Sequence, residues 1–373
     1  MKSTLPSRLK QTISALIFGL AVTAPAAQAD EVLKFFNWSD YIAEDTIERF
    51  EKETGIKVIA DVFDSNEVLE AKMLAGSSGY DLVVPTSSFM GRQILAGVFQ
   101  PLDKAQLPNS KHLDPELLTY LEKVDPGNHY GIPYLWGTTG LGYNPAMVKK
   151  ALGEDAPVDS WDLVFKPENM KKLEKCGVMF LDSPDELYPL ALNYLKLDPN
   201  SKKTADYAST SAASTLLKSV RPYVRQFHSS QYINALANGD ICVAIGWSGD
   251  IIQAQDRAAE ADNGVAIVYS IPKEGTQIWF DMLAIPASAD NVKNAHTFIN
   301  FLLRPDVIAD ITNYVAYANP NMAATALQDQ DISNNPGIYP SAEVKKRFYP
   351  GNVRGVKIER LLTRFWSDLK TGR

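Results

Sequence analysis

The chain has 373 residues, 45% of them hydrophobic, with 37 Lys and Arg against 44 Asp and Glu and a formal net charge of −7. That length can bury a large core and suggests about two domains. The acidic balance argues against nucleic acid or an anionic membrane as partner, and it permits a cationic ligand without requiring one.

Lys2, Arg8 and Lys10 make a basic start, followed by the apolar run 13–22 and by the small residues Ala27 and Ala29. This is the layout of a cleaved signal peptide over residues 1–29, and the run falls short of the roughly 20 residues that a spanning helix needs. No cysteine follows the cleavage point, so no lipoprotein anchor is expected, and no later stretch is long and apolar enough to span. Removing 1–29 takes away three basic and no acidic residues, which leaves 344 residues carrying −10. The mature protein is expected in solution outside the cytoplasm.

The first predicted element is a strand over 32–36, followed by Asn37-Trp38-Ser39-Asp40. A helix with Ile42, Ile47 and Phe50 on one side comes next and stops at Gly55. A second strand covers 56–63, a helix capped by Asp64 or Ser65 runs to Gly76, and 80–85 (YDLVVP) reads as a short buried strand. Alternating strand and helix predict a mostly parallel sheet covered by helices. The stretch 132–144 (IPYLWGTTGLGYN) reads as an extended segment crossing between two lobes. Its glycines, Gly137, Gly140 and Gly142, are ordered G-x-x-G-x-G with no helix directly after them, so they do not make a dinucleotide fingerprint. A second α/β region covers about 143–280, a strand 280–285 and a helix with Phe298, Phe301 and Leu302 follow, and 356–369 predicts an amphipathic surface helix.

Cys176 and Cys242 are the only cysteines. In an oxidising compartment an even pair reads as one disulfide, with two separate buried thiols as the alternative. His112, His129, His228 and His296 are scattered and, with two cysteines, match no zinc spacing, so no metal or cofactor is expected.

Three places pair an indole with a carboxylate: Trp38 with Asp40, Trp247 with Asp250, and Trp279 with Asp281. Residues two apart on a strand share a face, which sets Trp279 beside Asp281. A ring next to a carboxylate suits an alkylammonium ion: the carboxylate takes the charge and the N–H bonds, and the ring covers the methylenes and adds cation–π attraction. Asp40 and Asp250 also read as helix caps. Asp281 interrupts the apolar run 278–283 with no basic neighbour in sequence, so it needs either a distant Lys or Arg or a ligand. Tyr41, Tyr317 and Glu186 carry little signal alone. Ser87 and Ser88 follow a strand end, where α/β folds place ligands and also ordinary turns. GWSG at 246–249 lacks the G-x-S-x-G spacing of a nucleophile elbow, and nothing singles out a glycosidase pair among the carboxylates.

NWSDYI at 37–42, FEKETGIKV at 50–58, DVFDSNEVLE at 61–70, YDLVVP at 80–85, FHSSQYI at 227–233, CVAIGWSGD at 242–250 and RPDVIA at 304–309 together resemble the periplasmic polyamine-binding proteins, nearest to the putrescine binders. The resemblance covers nearly the whole mature chain. It implies an α/β, two-lobed type II periplasmic-binding fold with a ligand cleft between the lobes, no enzymatic activity, and service to an ABC importer in the inner membrane. The first lobe would hold 30–135 and 281–318, and the second 136–280 and 319–373. The cleft residues it implies are Trp38, Ser39, Asp40, Tyr41, Thr86, Ser88, Glu186, Trp247, Asp250, Trp279, Asp281 and Tyr317, and it implies the Cys176–Cys242 disulfide. Thr86 keeps a hydroxyl where the putrescine binders resemble one another in having Ser. Trp279 stands where they have Phe and some spermidine-preferring relatives have Trp. A monomer that binds putrescine, with spermidine as a second ligand, is the expectation. The alternative from another class is a secreted carbohydrate-active enzyme. An amino-acid receptor is disfavoured because no cleft motif contains Arg.

Overall fold

The computed structural model describes residue 1, residues 31–76 and residues 78–372, so the expected leader and its cleavage point lie outside the described residues. Ten strands follow in chain order: β1 (Val32–Trp38), β2 (Lys57–Phe63), β3 (Leu82–Val83), β4 (Gly131–Tyr143), β5 (Val178–Phe180), β6 (Gln226–Phe227), β7 (Val243–Trp247), β8 (Val268–Ser270), β9 (Thr276–Ala284) and β10 (Phe348–Pro350). Their spatial order is β2-β1-β3-β9-β4-β7-β5-β6, with β10 beside β9 and β8 beside β4. β1 pairs in parallel with β2 and β3, and β5 in parallel with β6 and β7, whereas β4 and β9 run antiparallel to each other.

Two hydrophobic cores lie along this path. The first gathers Phe35, Phe50, Leu82, Phe298 and Phe301, and the second gathers Trp161, Phe180, Tyr188, Ile245 and Phe365. Strands covered on both faces are mainly apolar, as in β9, where only Ile278 is not fully buried and Thr276, Gln277 and Asp281 are the polar exceptions. β4 joins the two lobes. Its Gly131–Thr138 half pairs with β9, and its Thr139–Tyr143 half with β7. At about 3.3 Å per residue its 13 residues reach roughly 40 Å, enough to serve both lobes.

Local chemistry sets the element ends. Gly55 takes the left-handed conformation (φ 76°) that ends the helix Thr46–Thr54, and its N–H caps the Glu51 carbonyl. Ser65, rather than Asp64, caps the helix Asn66–Leu74 by accepting from the Val68 N–H at 3.3 Å. The C-terminal helix Val356–Thr371 buries Ile358, Leu362, Phe365, Trp366 and Leu369 on one face against the second core. Cys176 and Cys242 form a disulfide across a 66-residue separation, tying the approach to β5 to the approach to its neighbour β7.

The expected boundary at 318/319 needs correction. Ala324 and Ile338 pack into the first core, because the chain after Tyr317 stays against β4 through the Trp136–Ala318 bridge. It reaches the second core at Tyr349 in β10 and then through Ile358 and the rest of the C-terminal helix.

Candidate ligand-binding cavity

Where the cores meet, a cavity is lined by Trp38, Ser39, Tyr41, Asp64, Asn66, Thr86, Glu186, Ser229, Trp247, Asp250, Trp279, Asp281 and Tyr317. Both lobes contribute. Trp38 ends β1, and Asp281 stands on the half of β9 that enters the first lobe. Asp250 lies in the first turn of the helix Ser248–Glu260, and Glu186 in that of Pro184–Tyr194.

Five rings from both lobes make the aromatic wall through edge-to-face contacts. Centroid separations are 5.4 Å for Trp38–Trp247, 6.5 Å for Trp247–Trp279, 5.4 Å for Trp279–Tyr317 and 5.0 Å for Tyr317–Tyr41. Two glycines make this packing possible. A Cβ on Gly137 would sit 2.8 Å from the Trp279 ring, and one on Gly249 would overlap the Tyr317 ring. Gly249, the second glycine of GWSGD, therefore lets a tyrosine of the first lobe approach a helix of the second.

Three carboxyls are buried in the wall. Asp281 is 3% exposed and accepts from the Thr86 hydroxyl at 2.6 Å and the Tyr41 hydroxyl at 2.8 Å. Asp250 accepts from Tyr317 at 2.6 Å and Tyr232 at 2.7 Å. Glu186 accepts from Thr139 at 2.6 Å and from the Gln277 amide at 3.1 Å. All these partners are neutral, and among the described residues no Lys or Arg forms an ion pair with any of the three. Burial, opposed by those hydrogen bonds, therefore pushes Asp281 and Glu186 up to about 7 and Asp250 up to about 6. Ionised carboxylates here cost several kcal/mol each unless a cation arrives to pair with them. No group of His, Cys, Asp and Glu suited to a metal occurs among the described residues.

All the expected cleft residues line the cavity except two. Asp40 sits in a left-handed turn (φ 55°), which carries its side chain away to a 2.8 Å ion pair with Arg257 of the second lobe; it caps no helix, since Asp45 precedes the helix Thr46–Thr54. Ser88 lies one residue into the helix Ser87–Leu95 and faces Gly351, about 3.2 Å from where a Cβ would stand. Asp250 is no cap either, because the residue at the cap position is Trp247. The cavity adds Asp64, Asn66 and Ser229 to the sequence-derived set. Asn66 fixes Thr86 from both ends, donating to its hydroxyl at 2.8 Å and accepting from its N–H at 3.0 Å. At the start of a capped helix Asn66 carries no ligand signal, and only its position past β2, facing the end of β3, could have pointed to it.

Residues 45–340 match the family model of the bacterial extracellular solute-binding proteins. The chain belongs to that family. Among relatives of this solute-binding protein, the putrescine-binding periplasmic protein PotF of Escherichia coli (strain K12) is 56% identical over 98% of this chain and 99% of its own length. The putrescine-binding periplasmic protein SpuD of Pseudomonas aeruginosa (strain UCBPP-PA14) is 55% identical over the same shares. Among solved structures, a putative spermidine/putrescine ABC transporter protein from Listeria monocytogenes superposes with a TM-score of 0.81 at 33% identity, covering 92% of this chain and all of that one. The two-lobed α/β architecture is therefore that of periplasmic-binding proteins.

Proposed function

We propose that this protein is the periplasmic receptor of an ABC importer, that it captures a diamine between its lobes, and that it performs no catalysis. The observation that carries the reading is the set of three buried carboxyls hydrogen-bonded only to neutral groups and contributed by both lobes. A diamine supplies the missing cations. One ammonium pairs with Asp281 of the first lobe, with Glu186 of the second as its nearer neighbour, and the other pairs with Asp250 of the second, so full pairing requires the lobes to be closed. Trp38, Trp247, Trp279, Tyr41 and Tyr317 cover the methylenes, each worth about 0.8 kcal/mol on burial. Ser39, Thr86, Asn66 and Ser229 supply the polar rim.

Relatives named for putrescine at more than half identity support putrescine as the preferred ligand, with spermidine second. The same likeness supports cleavage after Ala29, a monomer in the periplasm, and delivery to an inner-membrane permease. A neutral sugar would leave the carboxyls without a cation, which disfavours the carbohydrate-enzyme alternative. Calorimetric titration with putrescine, spermidine, agmatine and a neutral sugar tests the reading. Saturable heat with the amines and none with the sugar is expected; sugar binding without amine binding would refute it.

A further inference from the structure

The lobes meet a second time outside the cavity, at a groove where Glu67, Glu70 and Arg92 of the first face Asp185, Arg354 and Glu359. Here four carboxyls share two guanidiniums. Arg92 donates twice to Glu70, at 2.6 and 2.8 Å, and reaches across to Glu359 at 3.2 Å. Arg354 pairs with Asp185 and lies 3.8 Å from Glu359. Arg360 and Arg364 lie along the same groove and make no ion pair with these acids. Glu67 accepts one bond, at 3.3 Å from the Ser183 hydroxyl of the opposite lobe, and its other oxygen is buried without a hydrogen-bond partner.

We propose that this cluster takes up a proton as the lobes close, making ligand capture pH-linked through Glu67. The proposal rests on closure around a diamine. Opening withdraws Ser183 and Asp185 and returns the Glu67 carboxyl to water, where a glutamate titrates near about 4.3. Closing buries one of its oxygens and sets it beside Asp185, and both effects, burial first, hold its pKa well above that range. Glu359 is pushed up by the same two causes, so the proton belongs to the cluster as a unit. The closed state binds the proton more tightly, so the contribution of this cluster to affinity rises as pH falls between the open and closed values. Above that window, closure has to bury an extra anion. The limit is about tenfold in affinity per pH unit for one proton.

Putrescine titrations at pH 7 in phosphate and in Tris, whose ionisation enthalpies differ, count the protons exchanged. Wild-type protein is expected to take up about half to one proton more per ligand than the double variant Glu67→Gln with Glu359→Gln, which removes both raised carboxyls outside the cavity. Equal proton counts in the two proteins overturn the proposal. Absence of any putrescine heat would instead count against the ligand reading. Small-angle scattering of ligand-free protein from pH 8.5 to 5.5 gives a second readout: the buried cavity carboxyls drive compaction in both proteins, wild type is expected to begin compacting at higher pH than the variant, and identical pH profiles overturn the proposal.

Discussion

Replacing Asp281 by Asn keeps its volume on β9 but removes the charge that a ligand ammonium would meet. Asp281→Asn and Asp250→Asn should each weaken putrescine binding at least about tenfold, because a charge-assisted bond in a desolvated site is stronger than a neutral one. Calorimetry reads the affinity, and unchanged thermal midpoints would show that the fold survives. Asp40→Asn should cost less than about fivefold, since its partner Arg257 and Asp40 itself are both about one-third exposed and such pairs contribute about 0–1 kcal/mol. Acid should also weaken capture. The ammoniums need these carboxyls ionised, and burial pushes Asp281 and Glu186 up to about 7 and Asp250 up to about 6 without ligand, so as pH falls through that range binding has to displace protons and the cavity's share of the affinity falls. At this scale the sequence was legible where side-chain direction follows from a regular element, as with Trp279 and Asp281 two apart on β9. It was illegible at Asp40, because two-residue spacing from Trp38 means nothing once the chain leaves β1 through a left-handed turn.

The helix Ser248–Glu260 is placed by its glycine as much as by its apolar face. An Ala in place of a helical Gly ordinarily stabilises a helix by about 1 kcal/mol. Gly249→Ala should keep that gain in the ligand-free protein but oppose closure: its Cβ would overlap the Tyr317 ring and push apart the two lobes that share the Tyr317–Asp250 hydrogen bond. The expected outcome is an unchanged or higher melting temperature without ligand, together with at least about tenfold weaker putrescine binding, on the scale of an overpacking penalty of 1–3 kcal/mol. A fall in ligand-free stability with affinity intact would contradict it. The crossing strand β4 and the strand–helix alternation of 32–85 were readable from apolar runs and glycines. The chain's return to the first core at Ala324 and Ile338 was not, because those short helical turns depend on long-range packing and carry no periodic signal.

For the whole molecule, the Cys176–Cys242 bridge lies entirely within the second lobe, tying β5 to β7. Cys176→Ser with Cys242→Ser should lower stability by about 2–4 kcal/mol, seen as a lower denaturant midpoint, while leaving putrescine affinity within about threefold. Putrescine should raise the thermal midpoint and reduce the scattering radius, because it binds the closed folded form and not the unfolded chain.

The strand order has a consequence for synthesis. β9 sits between β3 and β4, so the first lobe's sheet lacks its central strand until residue 284 has emerged. The second lobe's sheet uses only residues 139–270, so it can pair, and close its disulfide, while the earlier-made N-terminal strands still wait. The sheet begun first is thus completed second. Its β1 and β2 stay exposed longest to proteases and to neighbouring chains, and pulse-labelled hydrogen exchange should find amides of β5 and β7 protected before those of β1 and β3.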